Sequence, residues 1–149
     1  MTLHVPESLK NGHESMRAAL KRAMREPGRT GEAAMRVARI LEGHLLREEK
    51  FALRPLGLLR ALGRGETPAE LAEAVRLVRE LRLQMPQMIE EHRQIAEALK
   101  QLAQAAEAEA KHEYVELAED MILHAHVEED VLYPAAQLVG RYAELVRPD

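Results

Sequence analysis

The chain has no cysteine and no tryptophan, and only one phenylalanine and three tyrosines among 149 residues. Without cysteine there is no disulfide, no thiolate-bound zinc, no cysteine-ligated cluster and no thiol nucleophile. The scarcity of aromatics leaves the core to Leu, Ile, Val, Met and Ala, since hydrophobic residues still make up 46% of the chain. No apolar run reaches the roughly 18 residues of a membrane span, and the amino terminus lacks a signal-peptide pattern. The expectation is therefore a cytoplasmic protein with no membrane partner. Acids and bases are interspersed, with a formal net charge of −4, so a nucleic-acid footprint is not expected either. Asparagine occurs once, as Asn11, a weak sign of selection against thermolabile residues.

What remains is rich in Ala, Leu, Glu and Arg, a composition that favours helix. The length fits a single domain spanning residues 1–149. Apolar positions Leu9, Met16, Leu20, Ala23 and Met24 share a face with His13, giving a first helix from about Glu7 to Glu26. Pro27-Gly28-Arg29-Thr30-Gly31 breaks it, and Thr30 is placed to N-cap a second helix. That helix turns Ala33, Val37, Ile40/Leu41, His44, Glu48 and Phe51/Ala52 inward. It should stop near Leu53, because Arg54 precedes Pro55. A short crossover turn over Leu56–Leu62 follows. Thr67, Pro68 and Glu70 then read as N-cap, N1 and capping box of a third helix, with Leu71, Val75, Val78, Leu81 and Leu83 inward.

Pro86 should kink or break this third helix; Met88, His92, Ile95, Leu99 and Leu102 continue the inward row. No breaker occurs between Pro86 and Pro134, but the spacing of the histidines about Gly28 places a turn within Glu107–Lys111. The fourth helix carries Tyr114, Leu117, Met121, His124, Glu128 and Val131/Leu132 inward. Pro134 ends or bends it, and Ala135–Val146 forms a short C-terminal helix.

The chain repeats itself. His13 and His92 are 79 residues apart, as H-x-x-M-x-x-A-L and H-x-x-I-x-x-A-L. His44 and His124 are 80 apart, each opening an H-x-x-x-E-E phrase with a proline downstream. Leucines recur in any two amphipathic helices; matched histidines, paired glutamates and trailing prolines do not. The pattern predicts an all-α fold made of a duplicated helical hairpin, its halves facing across a pseudo-twofold axis.

In such a bundle His13, His44, Glu48, His92, His124 and Glu128 point into the interior at one level. Buried carboxylates without partners cost several kcal/mol each. A pair of metal ions resolves this, each glutamate bridging through its two oxygens and each imidazole completing a coordination sphere. The nitrogen and oxygen donors suit iron first, then manganese, with zinc a further option. The Glu-x-x-His motif of ferritin-like bundles is absent, because Lys10, Leu41, Ile89 and Met121 stand three residues before the histidines.

This constellation resembles the hemerythrin-like family, the HHE cation-binding domain, over nearly the whole chain. The motifs are His13, His44-x-x-x-Glu48, His92, and His124-x-x-x-Glu128 before Leu132-Tyr133-Pro134. The resemblance implies an up-down-up-down four-helix bundle holding a non-haem centre of two iron ions with a bridging oxo or hydroxo group. Two departures stand out. Met88 and Ala96 occupy the positions four from His92, where oxygen carriers have a further histidine, and Glu129 stands five residues after His124, where they have aspartate.

The expected function is binding of dioxygen or a related small molecule, nitric oxide or peroxide, as a redox binder or sensor. A slow enzyme acting on peroxide or nitric oxide, an iron buffer and a metal-free helical interaction module stay open, as do a protein partner and the oligomeric state. The missing cysteine weighs against the iron–sulfur repair activity attributed to some relatives. Glu49 and Glu129 lie ~100° round the helix from their neighbours and read as solvated or as acceptors for ligand imidazoles, with Glu91 similar. His4, His112 and His126 fall off the inward face. Met16, Met88 and Met121 read as core filling, with the lining of a small-ligand pocket as the alternative. Gly43 costs near 1 kcal/mol against alanine inside a helix, for close packing or for ligand access.

Overall fold

The computed structural model describes residues 2–146, so Met1 and residues 147–149 of the expected domain lie outside the described residues. The fold is all-α, with no strand among the described residues. The α-helices are α1 (Glu7–Met24), α2 (Gly28–Arg47), α3 (Leu59–Gly63), α4 (Leu71–Ala108), α5 (His112–Val127) and α6 (Tyr133–Val146). Helix α4 is the spine, packing against α2, α5 and α6, while α1 folds back on α2. Side-chain pairs that step in opposite directions along α2 and α4, Thr30 with Glu109 and His44 with Glu91, show that these two run antiparallel.

Two winding changes bear directly on the glutamates. Helix α2 passes without a break into a π-helical segment, Glu48–Leu53, and then a 3-10 turn, Arg54–Leu58. Helix α5 does the same through Glu128–Leu132 before α6 begins. Each wide turn starts at the second residue of its His-x-x-x-Glu pair and is followed by a proline, which cannot supply the next helical N–H. Arg54, expected to leave helical geometry ahead of Pro55, instead keeps φ −60° and ψ −42°. The altered winding absorbs the proline one turn earlier.

Other expectations are corrected. Thr30 is not the N-cap of α2, which starts at Gly28 with Pro27 at the cap position. The Glu109 carboxylate caps it instead, accepting from the backbone N–H groups of Arg29 and Thr30 and from the Thr30 hydroxyl. Gly28 sits at φ +78°, which only glycine adopts freely, and this turns the chain so that those donors face Glu109. The capping box at Thr67 does not form; α4 opens at Leu71 without a side-chain cap. Pro86 neither breaks nor ends α4, which runs 38 residues through it. The missing bond costs ~3 kcal/mol, but α4 is held by burial along its length, from Leu71 to Ala106. Leu83 and Val131, expected inside, are exposed. The turn between α4 and α5 does fall at Glu109–Lys111.

The aliphatic core divides at the level of the histidines. On one side Leu20, Val37, Leu41, Leu45, Ile95, Leu99, Leu102 and Met121 pack together. On the other, Ala52, Leu53, Leu56, Leu81, Met88, Tyr133 and Ala136 form a second cluster. Helix α4 crosses from one cluster to the other, as do the continuous runs from α2 into Glu48–Leu53 and from α5 through Glu128–Leu132 into α6, and each carries its histidine near the crossing.

Candidate metal centre

All six expected residues converge at that crossing. His13, His44, Glu48, His92 and Glu128 are buried, and His124 is 27% exposed. Their donor atoms fall into two sets, His13, Glu48, His124, Glu128 and His44, Glu48, His92, Glu128, each gathered within 4.8 Å. The glutamates belong to both sets and divide their oxygens between them. Glu48 Oε1 lies 2.8 Å from His13 Nε2, while its Oε2 lies 3.1 Å from His44 Nε2. Glu128 Oε2 lies 3.2 Å from His124 Nε2, while its Oε1 lies 3.3 Å from His92 Nε2.

His44 Nε2 and Glu48 Oε2 are hydrogen-bonded, but three other inward atoms are not. Glu48 Oε1, Glu128 Oε2 and His124 Nε2 are buried and make no hydrogen bond, although such groups normally find one. Inward lone pairs of nitrogen and oxygen without protons to share fit a pair of cations. Without metal, two of the imidazoles are drawn towards their charged form. Burial opposes charge on His13 and His92, but the adjacent Glu128 and Glu48 carboxylates outweigh it and raise both imidazoles to about 10. Burial likewise opposes charge on Glu48; Glu128 and the surrounding histidines hold it well below the usual carboxylate range.

The outer nitrogens are held from behind. His13 Nδ1 lies 3.0 Å from Glu49, His44 Nδ1 3.1 Å from Glu91 and His92 Nδ1 2.8 Å from Glu129. With each Nδ1 donating to a carboxylate, the tautomer is fixed and Nε2 turns its lone pair inward. Arg17 backs Glu49 at 2.8 Å, and Arg47 is paired with Glu91. His124 has no such partner among the described residues.

Tyr133 was missed as a site residue, appearing in the sequence only inside the phrase Leu132-Tyr133-Pro134. It is buried, donates from its hydroxyl to Glu48 Oε2, and lies 3.1 Å from His92 Nε2. Burial and the charges of Glu48 and Glu128 keep this phenol protonated in the metal-free chain. Comparison across the repeat holds the signal, since the residue 80 positions earlier is Leu53.

A cavity of about 20 Å³ borders the centre, lined by Met16, Leu41, Leu45, Ile95 and Met121 together with ligand-set residues. That is room for one water-sized or diatomic molecule. Met88 packs instead in the second cluster, beside Tyr133. His4, His112 and His126 are exposed, away from the donor sets. Gly43 is not explained by close packing, because an added methyl would meet only the Arg47 guanidinium at 3.7 Å. No helix is long and apolar enough to cross a membrane among the described residues. No protein-family profile, curated protein or solved structure matches the chain.

Proposed function

We propose that this chain is a hemerythrin-like protein, folded as an up-down-up-down bundle, that holds two iron ions between its halves and binds dioxygen, nitric oxide or peroxide. The observation that carries this reading is the divided glutamates: Glu48 and Glu128 each turn one oxygen to His13 and His124 and the other to His44 and His92. Iron bound there supplies open coordination and a one-electron redox couple. Glu49, Glu91 and Glu129 keep the imidazoles oriented. Met16, Leu41, Ile95 and Met121 give the adjoining cavity an apolar wall, and its volume favours small neutral ligands over organic substrates.

Elemental analysis of protein purified in air, with its visible spectrum, tests this directly. About two irons per chain with oxo-to-iron charge-transfer bands is the expected result. Protein that takes up no transition metal after reconstitution with ferrous iron, manganese or zinc would leave a metal-free core of paired imidazolium and carboxylate groups. Rapid mixing of the reduced protein with dioxygen, nitric oxide or peroxide then separates reversible binding from turnover.

A further inference from the structure

The repeat is nearly exact in its ligands and broken in what surrounds them. Glu49 on His13 and Glu129 on His92 correspond across the 80-residue offset. Glu91 on His44 has no such counterpart. By the 79-residue offset of the His13 and His92 helices, its equivalent is Gly12, so His124 has nothing on its outer nitrogen. A methyl added at Gly12 would meet nothing within 4 Å, and His124 is the one imidazole of the four that is not buried. Tyr133 adds a second asymmetry. Its oxygen touches Glu48 Oε2 and His92 Nε2, which face the His44–His92 set, while Leu53 occupies the equivalent place in the other half.

Both differences favour the same set. Around His44 and His92, both outer nitrogens are fixed by carboxylates and a fifth oxygen donor stands among the ligand atoms. Around His13 and His124, one outer nitrogen is fixed, one imidazole reaches solvent, and no fifth donor is present among the described residues. Resting on the two-ion reading above, we propose that the two metal positions are unequal: the His44–His92 position, completed by the Tyr133 oxygen, fills first and holds its ion more tightly, and the His13–His124 position fills second and exchanges with solvent.

As a ligand the Tyr133 oxygen would be phenolate, its proton leaving as the ion binds. The Tyr133 ring packs in the apolar cluster with Leu53, Leu81 and Met88, and its hydroxyl is hydrogen-bonded to Glu48 and His92.

The test is titration of the metal-free protein with iron(III) nitrilotriacetate, reading bound iron per chain and the visible spectrum together. The expected result is a phenolate-to-iron(III) band that reaches full height at one ion per chain and does not grow as the second binds. Tyr133→Phe, which keeps the ring's volume in its cluster, should lose this band entirely and weaken the first binding step roughly 10–100-fold, leaving the second unchanged. Two ions bound with no phenolate band, a band that grows evenly to two ions, or an unaltered first step in Tyr133→Phe would each overturn the unequal-position proposal while leaving the two-ion reading standing. Failure to bind iron or any other transition metal would overturn both.

Discussion

In the first half of the chain both ligand histidines are backed by a carboxylate, His13 by Glu49 and His44 by Glu91; in the second half only His92 is, by Glu129. The second half in turn supplies the buried tyrosine where the first has leucine. The inward histidines and glutamates and their spacing are thus kept across the repeat, while the groups that contact them from behind differ. The two halves differ at Gly12, behind His124, and at Tyr133, beside Glu48 and His92, while the four histidines and two glutamates match.

The most severe way to break the comparison is to remove one inner ligand from each half. The His44→Ala, Glu128→Ala double variant takes a donor from both sets, and bound metal should fall from about two per chain to none by elemental analysis. Next in size are the outer carboxylates. Glu49→Gln and Glu129→Gln should each weaken metal binding ~10–100-fold, but at different positions, the former at the His13 position and the latter at the His92 position. Metal titration of the two variants side by side resolves this. Gly12→Glu should act oppositely, tightening the second binding step by restoring an acceptor beside His124.

Acid and base should separate the metal-free and metal-loaded proteins. The raised values of His13 and His92 mean that their contribution to metal-free stability is complete below the ordinary imidazole value of 6.5 and is lost as pH rises towards 10. The lowered value of Glu48 contributes above the ordinary 4.5 and is lost as pH falls. Thermal melts of the metal-free protein should therefore decline from about pH 6.5 to 10. The loaded protein should hold over that range and decline in acid instead, as protons compete for the imidazoles. Identical profiles for the two forms would contradict this. The smallest effect is expected at Gly43→Ala, which should raise stability by ~0.4–1 kcal/mol in denaturant melts, because the position is helical and its methyl would meet no backbone.

Much of this was readable from the linear text. The inward histidines and glutamates recur at helical spacing, and placing a histidine and a glutamate one turn later on one face is a property of the helix that carries them, so the convergence of these six side chains was legible before folding. The helix pattern and the turn at Glu109–Lys111 were legible for the same reason. Pro86 was not, because its local penalty is set against contacts with three other helices, none of which is near it in sequence. Leu83 faces outward because it lies ~200° round α4 from buried Leu81, and Val131 lies in the π-helical segment, whose wider turn shifts the phase of the residues after Glu128.

The sequence by itself determined which side chains could reach one interior level, since that follows from periodicity within each helix. Only the packed chain decided how they meet: that Glu48 and Glu128 divide their oxygens, that Glu91 from α4 reaches His44 on α2, that Glu109 accepts from Thr30, 79 residues away, at the start of α2, and that Tyr133 crosses to Glu48 of the other half. These are contacts between segments far apart in the chain, and their geometry is fixed by how helices pack rather than by the spacing within any one of them.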